Sequence, residues 1–406
     1  MNTIITKQGD TFESISRRAF GTENKAQAIR RANPSVFDPI PSGLAVTVPR
    51  LPNAPRDKTG VIAGDNISLV LDGASFTAWT DVALTLSMDS SPTLSVSSPW
   101  NPQEEELKRV FKPFSFLPIS VSIGTDPLFE GVMLTPHPAS TADGSVISAS
   151  AYGLTGVAYD CTAPASSYPL EFDNLTLDAI ASQLLRPFGI GMTFSAPAGA
   201  PFERVSMQPD EPVMPFLAKL SKQRNLVIGE TETGEALFHQ SAEPGNPVAI
   251  LEEYRPPVDN VAASFTAQGV YSDITAISPT VPGAAGDQNT VKNARLPGVV
   301  RPYTFTATDT PPDGLKTAAE AKIGRMYANA VSWVISVPSW RGPNGDIWKP
   351  NTTVKLKAPN AMIFNRTEFI IKEVRLAANE DGRTAALTIV LPGAFSGKIP
   401  EELPWD

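Results

Sequence analysis

The chain has few of the residue types that catalytic and metal sites use most. Its 406 residues include one cysteine, Cys161, and two histidines, His137 and His239. A single cysteine excludes an intrachain disulfide, and neither histidine has the nearby His or Cys partner of a metal motif. The sequence also lacks a nucleophile elbow and a phosphate-binding loop. We therefore predict no metal, no cofactor and no catalytic residue.

Long apolar runs and a leader are missing as well. No apolar stretch approaches the roughly 18 residues that cross a bilayer. The chain starts with Met1-Asn2-Thr3-Ile4 and has no basic segment followed by an apolar one. These features predict a protein that does not enter a membrane and that is made and assembled in the cytoplasm.

Basic residues are outnumbered by acidic ones. The chain has 33 Lys and Arg against 42 Asp and Glu, a formal net charge of −9. Phosphate binding needs a basic surface, so this balance disfavours nucleic acid as a direct partner. Residues 1–60 hold nine basic and five acidic residues, which leaves 24 basic and 37 acidic ones for the rest. A basic head on an acidic body indicates two modules in different surroundings.

The first fifty residues have the pattern of a strand–helix–helix–strand unit. Short segments at 4–6 and 44–48 predict the two strands, the second by its alternation of residue types. Helical spacing over 12–19 and a second segment at 25–32 predict the helices, and Asn33-Pro34 ends the second one.

Spaced motifs in this head resemble the LysM domain family. They are Gly9-Asp10-Thr11-Phe12 with Ile15, then Ala32-Asn33-Pro34, then Gly43 ahead of Val46 and Val48-Pro49. The resemblance covers residues 1–50 and implies a fold that often binds N-acetylglucosamine chains through two loops. In this sequence the loop residues are Gly9, Asp10, Thr11, Phe12, Ser35, Val36, Phe37, Asp38 and Ile40. These residues could instead only build the fold while the head docks another protein, and both alternatives stay open at this point.

Beyond a linker at 51–60, the body alternates between β-rich and mixed segments. Runs of alternating aliphatic and small polar residues over 61–164 predict a first tube-like β-barrel with one wet face. Residues 165–247 mix helical and strand patterns and predict a small α/β subdomain. Strand patterns resume over 248–400 as a second tube-like β-barrel, interrupted by a Pro- and Gly-rich loop and a helix at 278–330. The predicted fold class is mainly β (α+β), and the similar strand content of the two β-rich regions suggests a duplicated fold without a sequence repeat.

The body resembles the Mu-like tail protein family of baseplate hubs over about residues 62–395. The segments that carry the likeness are Phe76-Thr77-Ala78-Trp79-Thr80-Asp81-Val82, Phe129-Glu130-Gly131, residues 175–190, Gln208-Pro209-Asp210-Glu211, and a Trp340-Arg341-Gly342 motif that continues through Gly345, Trp348, Asn351 and Val354. A LysM head is not expected in every member of this family.

The resemblance implies a structural protein of a contractile phage tail and not an enzyme. It implies a homotrimer in which each chain supplies two tube-like barrels around a channel, joining a sixfold tail tube to a threefold central spike. The implied partners are the spike, the tail tube, and sheath-initiating or wedge proteins of the baseplate, with DNA only in transit. The implied location is the virion. Acidic surplus would repel passing DNA, and ordinary solubility charge is the alternative explanation.

The Trp/Arg motif is the candidate site of the body. Trp340, Arg341 and Trp348 lie around a Gly-Pro-Asn-Gly turn, and such a cluster can anchor an interface. Packing beneath the turn is the alternative. The competing function is a LysM-anchored peptidoglycan-binding protein or hydrolase. A hydrolase needs a carboxylate pair or a zinc site, and no recognisable context surrounds any Asp or Glu.

Overall fold

A computed structural model describes residues 2–20, 26–33, 36–37, 40–48, 65–141, 144–278, 286–307, 314–392, 395 and 403–406. The predicted linker at 51–60 and the loop residues Ser35 and Asp38 lie outside these ranges. Within them, none of the helices combines the length and the apolar character needed to cross a bilayer.

The head has the predicted order of elements. It consists of β1 (Asn2–Ile5), α1 (Phe12–Phe20), α2 (Ala26–Ala32) and β2 (Ala45–Val48), and the two strands pair antiparallel. The buried apolar side chains form one small core of Phe12, Ile15, Ala26, Ile29, Ile40, Val46 and Val48. The helical spacing in α1 and α2 and the alternation in β2 each place the apolar residues on one face, and these faces meet in the core.

The first β-rich region supplies seven strands and two short helices. They are β3 (Ile67–Leu71), β4 (Ala74–Phe76), β5 (Asp81–Ser87), β6 (Thr93–Pro99), α3 (Glu105–Val110), β7 (Pro118–Ile123), β8 (Asp126–Thr141), β9 (Gly144–Gly153) and α4 (Gly156–Asp160). In β6 and β9 buried and more exposed residues alternate, so one face of the sheet packs on the core.

The α/β region follows. Its elements are β10 (Glu171–Leu175), α5 (Leu177–Leu185), β11 (Met192–Phe194), β12 (Phe202–Ser206), α6 (Val213–Gln223), β13 (Val227–Glu230) and β14 (Ala236–His239). The buried residues of α5, α6 and these strands form a core of their own, separate from that of the large sheet. Helical spacing on α5 and α6 points their apolar faces into this core.

The second β-rich region completes the body. Its elements are β15 (Ala249–Glu252), β16 (Asn260–Phe265), β17 (Asp273–Ile277), β18 (Gln288–Lys292), β19 (Pro302–Thr306), α7 (Leu315–Ala330), β20 (Val331–Val337), β21 (Thr353–Ala358), β22 (Ile363–Asn379) and β23 (Gly382–Val390). The segment predicted as a loop, residues 278–300, contains β18, and β19 follows it. Both strands pair with β17 in a small sheet. The residues of β18 are mostly exposed and polar, so it lacks an apolar alternation. In β19 the half-buried Tyr303 and Phe305 do alternate with exposed residues.

The two β-rich regions share one sheet. Its strand order is β16-β20-β23-β22-β5-β6-β9-β8-β7-β3-β4, with β21 also paired to β22 and β15 to β21. The junction forms because β22 is longer than β21. Its first part pairs with β21, and its residues 373–378 pair with residues 82–87 of β5. We call this junction the internal seam, and it makes the two regions predicted as separate barrels continuous.

The two regions also repeat one strand order. The first runs β5-β6-β9-β8-β7-β3 and the second β16-β20-β23-β22-β21-β15. A β-bulge also recurs at the same distance from the hairpin turn. Residue 134 is the extra residue where β8 pairs with β9, and residue 372 is the extra residue where β22 pairs with β23. One difference is that β3 pairs antiparallel with β7, whereas β15 pairs parallel with β21. Topology and register therefore support a duplicated fold.

Candidate functional site

An eight-strand part of the sheet runs from β16 to β8 and ends in two open edges. On one side, β16 pairs only with β20. On the other, residues 135–141 of β8 pair with β9, whereas β7 reaches only as far as Val132. Neither of these edges has a second strand partner among the described residues, so both leave backbone groups available for pairing.

The face of these strands that points away from the core is made of small polar and methyl side chains. Following the pairing register across six strands, one row reads Thr135, Ser150, Ser95, Ala83, Ala377 and Thr384. Charged residues on this face are few: Asp81, Glu373 and Arg375 are paired with Ser97, Ser87 and Thr85 of neighbouring strands. The face therefore presents small, mostly polar side chains to solvent and has few basic groups.

The core side of the internal seam is apolar. Val374 lies opposite Leu86, and Leu376 lies opposite Leu84. Val374, Leu376 and Leu84 are almost completely buried. The seam therefore combines a backbone ladder with hydrophobic burial, and both stabilise it.

A buried histidine ties the α/β region to this seam. Nε2 of His239 lies 2.8 Å from the carbonyl oxygen of Met88, and Asn351 Nδ2 lies 3.0 Å from His239 Nδ1. Since a carbonyl can only accept, Nε2 donates to Met88. Nδ1 lies 3.0 Å from the carbonyl oxygen of Gln240 as well as from the Asn351 amide nitrogen. His137, by contrast, is exposed on the open edge of β8. The described residues contain no group of His, Cys, Asp and Glu able to hold a metal ion.

A partly buried carboxylate forms a second connection between the same regions. Glu230, at the end of β13, accepts from the backbone N–H groups of Leu154 and Thr155 at 3.0 and 3.1 Å. The hydroxyls of Thr155 and Ser91 also donate to it. Burial raises the pKa of the Glu230 carboxyl, and these hydrogen bonds oppose that shift. Four donors on one carboxylate make it a structural connector.

The Trp/Arg motif lies inside the chain. Trp340 and Trp348 are both buried, and the Trp340 indole N–H points at the carbonyl oxygens of Ala377 and Thr384 at 3.1 and 3.2 Å. The two rings therefore pack beneath the turn, which is the alternative that sequence left open.

Arg341 connects the turn to the first β-rich region. Its guanidinium donates to Asp65 at 2.7 Å and to Asp126 at 2.8 Å. Hydrogen bonds to these two carboxylates raise the pKa of Arg341. The candidate interface at this motif is thus an internal one between the two β-rich regions of a single chain.

Most of the predicted head loop residues build the head itself. Phe12 and Ile40 belong to its core. The Asp10 carboxylate accepts from the Lys7 backbone N–H at 2.7 Å, a bond that lowers its pKa, and it also pairs with Arg18.

The remaining head loop residues divide into one capping residue and a few exposed ones. The Thr11 hydroxyl accepts from the Ser14 backbone N–H, which caps α1. Gly9 is exposed and Val36 half-buried. Phe37 is 75% exposed, more than the other exposed large apolar side chains described in the head, Ile5 and Leu44.

Sequence reasoning missed the open edges of the sheet. A signal was present in β8, where Pro136 and Pro138 stand two residues apart in an otherwise strand-like segment. Proline inside a strand marks an edge because it cannot donate to a ladder.

Two solved structures with this fold are tail proteins. The 43 kDa tail protein of prophage MuSo2 from Shewanella oneidensis superposes with a TM-score of 0.70 at 22% identity, covering 81% of this chain and 99% of that one. The tail protein from Neisseria meningitidis MC58 gives a TM-score of 0.70 at 16% identity, covering 83% and 99%. These matches define the class of fold.

Sequence comparisons are more specific. The family model "Baseplate hub protein gp44-like, second domain" matches residues 155–240, and "Mu phage baseplate assembly protein GpP, fourth domain" matches residues 316–398. The baseplate hub protein gp44 of Escherichia phage Mu is 23% identical over 334 residues, which cover 78% of this chain and 85% of that protein. The chain is therefore similar to Mu-like baseplate hub proteins over most of its length. The matched proteins are a phage baseplate hub protein and a prophage tail protein.

Proposed function

We propose that this chain is the baseplate hub of a contractile phage tail and that three copies surround the channel through which DNA passes. The observation that carries the proposal is the repeated strand order within one sheet. Because each chain holds two versions of the same arrangement, a trimer presents six. A threefold object built in this way can join a sixfold tail tube to a threefold central spike.

The dimensions of the eight-strand part suit this role. Three copies would place twenty-four strands in a ring. With strands about 4.8 Å apart and tilted by about 40°, opposing backbones would be about 48 Å apart, against about 32 Å for two copies. The larger ring has room for a DNA duplex, and the Ser-, Thr- and Ala-rich face would line it. Arg375 is the one Lys or Arg among residues 373–378 and 82–87 of the internal seam, so few groups there would hold phosphate.

The proposed partners are two further copies of this chain, the central spike, the tail tube, and the sheath-initiating or wedge proteins of the baseplate. DNA would meet the hub only in transit. The proposed location is the baseplate of the virion, after assembly in the host cytoplasm.

Light scattering tests the trimer. The purified full-length chain, alone and mixed with the spike protein of the same phage, should have three times the mass of one chain in at least one of the two samples. In parallel, phage that lack the gene should make no complete tails, and the gene supplied in trans should restore them. A strict monomer at tens of micromolar in both samples, together with normal tails from the deletion phage, would contradict the hub assignment.

For the head we propose a LysM-like module that docks a neighbouring baseplate protein. Two observations support docking over glycan binding. Much of the predicted ligand loop is used inside the head, and a hub lies within the baseplate. Phe37, whose side chain is largely exposed, is the contact we assign to the docking surface.

Replacing Phe37 by alanine should reduce the yield of assembled tails at least tenfold without changing the melting temperature of the protein. Leu44→Ala, which shortens another exposed apolar side chain of the head, is the matched control and should leave the yield unchanged. Wild-type protein should neither sediment with purified peptidoglycan nor release muropeptides from it. Sedimentation that Phe37→Ala abolishes, with normal tails from that variant, would instead support the glycan-binding alternative.

A further inference from the structure

The backbone groups that β8 presents at its open edge follow from the hydrogen bonds of its neighbour β9. Trp100 N donates to Ser145 O at 2.9 Å and Gly153 N to Pro92 O at 2.8 Å, so the odd-numbered residues of β9 bond to β6. Its even-numbered residues therefore bond to β8, where they lie opposite residues 135, 137 and 139. The backbones of Pro136, Pro138 and Ser140 consequently point to the open edge.

This edge accepts hydrogen bonds but hardly donates them. Pro136 and Pro138 have no N–H, so the three outward positions offer three carbonyl oxygens and a single N–H, that of Ser140. Two such edges would pair badly with each other because both lack donors. A partner strand for this edge has to bring its own N–H groups.

The open edge of β16 has those groups. Thr266 N donates to Ala330 O at 2.8 Å, which places the even-numbered residues of β16 against β20. Val261, Ala263 and Phe265 therefore point both N–H and C=O outward, and none of them is buried. Phe265 is 44% exposed although its ring contacts the core residue Trp333.

The internal repeat supplies the register for joining the two edges. At the internal seam, residues 374, 376 and 378 of β22 lie opposite residues 86, 84 and 82 of β5. Counted from the bulge and hairpin turn that β8 and β22 share, Pro136, Pro138 and Ser140 are equivalent to residues 374, 376 and 378. β5 pairs with β6 in the first region as β16 pairs with β20 in the second. Following these registers, residues 265, 263 and 261 of β16 are equivalent to residues 86, 84 and 82 of β5.

We propose that β8 of one copy pairs antiparallel with β16 of a second copy in this register, and that Pro136 and Pro138 select this head-to-tail contact. Pro136, Pro138 and Ser140 then face the second copy's Phe265, Ala263 and Val261. The contact rests on the proposed function, since it is the seam that would close the ring. It forms four backbone hydrogen bonds where three fully paired positions would form six, because two donors are absent.

Exposed aromatic side chains beside the β8 edge fit the same contact. At the internal seam, Thr352 O accepts from Ile371 N, and the preceding residue Asn351, with φ +57°, bonds to the α/β region. In the first region Leu117 O accepts from Met133 N, and the preceding residue Phe116 has φ +47°. Asn351 thus has a partner within the chain, whereas Phe116 at the equivalent position is 57% exposed, and nearby Phe114 is 86% exposed. The second copy would cover these rings.

Disulfide trapping tests the register on the full-length chain. The variant Ala139→Cys with Ala262→Cys is made in a Cys161→Ser background, which removes the exposed native thiol. These positions are opposite each other at a site without ladder hydrogen bonds, where Cα atoms are about 4.5 Å apart and a disulfide can form. Oxidation under the condition that gives a trimer should convert most of the protein to a covalent trimer.

Two controls separate this seam from other contacts. Ala139→Cys with Ser264→Cys is two residues out of register, about 7–8 Å apart, and should give at least fivefold less trimer. Each single cysteine should give no covalent product, because a dimer from Ala139→Cys or Ala262→Cys alone would mean that like edges pair. Equal cross-linking by the shifted pair, or none by the matched pair in a trimer seen by light scattering, overturns the seam but leaves the hub assignment intact. Absence of any trimer counts against the hub assignment itself.

The proline variants test selectivity. Pro136→Val with Pro138→Val restores two donors in each of the three seams, six in the ring. The midpoint concentration of trimer dissociation varies as the square root of the dissociation constant, so it should fall roughly eight- to a thousandfold, at about two- to tenfold per hydrogen bond. The same variant should also form dimers or larger aggregates, because its β8 edges can now pair with each other. Pro302→Val, at an exposed strand proline away from the seam, should change neither property. An unchanged dissociation concentration and no new species in the double variant would overturn the assigned role of the prolines.

Discussion

Trp333→Ala should lower the free energy of unfolding by about 3–5 kcal/mol, as expected for removing a fully buried indole. Trp333 is completely buried in β20, and its ring packs 4.9 Å from that of Phe369. Its indole N–H donates to the carbonyl oxygen of Ala361 at 2.8 Å. The substitution therefore leaves both a cavity and an unpaired acceptor. Urea unfolding followed by circular dichroism measures the loss.

Trp333→Phe is the matched variant. It keeps most of the apolar volume and removes the hydrogen bond to Ala361, so we expect a smaller loss of about 1–2 kcal/mol. Because Phe265 of the open edge packs edge-on against the Trp333 ring, the alanine variant should also weaken the trimer. A loss below about 1 kcal/mol for Trp333→Ala would mean that the core collapses into the space, contrary to our expectation.

Glu230→Ala should cost about 3 kcal/mol or more, since each buried donor left without an acceptor costs about 1–3 kcal/mol. The backbone N–H groups of Leu154 and Thr155 would both lose their partner. Glu232→Ala is the control on the same hairpin. Glu232 pairs with Lys349 at 2.6 Å in a half-exposed setting, so its loss should cost less than about 1 kcal/mol. Similar losses for the two variants would contradict the connector role of Glu230.

The same carboxyl makes a testable contribution to the pH dependence of stability. Its pKa is raised above its ordinary value of 4.5 in the folded state because of burial. The folded state therefore holds the proton more tightly, so this group stabilises the fold at low pH and loses that contribution as pH rises through the raised pKa. From about pH 4 to about pH 7, the unfolding free energy of wild type should fall relative to that of Glu230→Gln. Glu373, whose pKa burial also raises, contributes equally in both proteins.

Local sequence patterns predicted the elements in which burial alternates with the period of the strand or helix. Alternation predicted β5, β6 and β9, and helical spacing predicted α5, α6 and α7, because apolar residues at periods of 2 and 3.6 share one face. The β18 and β19 strands, which pair with β17, were not predicted. β18 is mostly polar, whereas the alternation of Tyr303 and Phe305 with threonines in β19 was a strand signal that went unused. The motif at Trp340 identified the right residues, yet burial beneath the turn is a property of the surrounding sheet.

The candidate site was less accessible to sequence reasoning than the fold. Motif spacing singled out Phe12, Ile40 and Phe37 together, although the first two are core residues and only Phe37 is exposed. Spacing says where a residue lies in a motif, whereas exposure depends on what the rest of the chain places over it.

By itself the sequence determined the element types, the order of elements in the head and the two β-rich regions around an α/β segment, because these depend on neighbours within one or two turns or strands. Only the tertiary structure decided the internal seam, the repeated register and the two open edges. The pairing of residues 373–378 with residues 82–87 joins strands that are far apart in the chain. Nothing in a local window specifies which edge a strand will meet, since backbone groups are the same in every residue but proline.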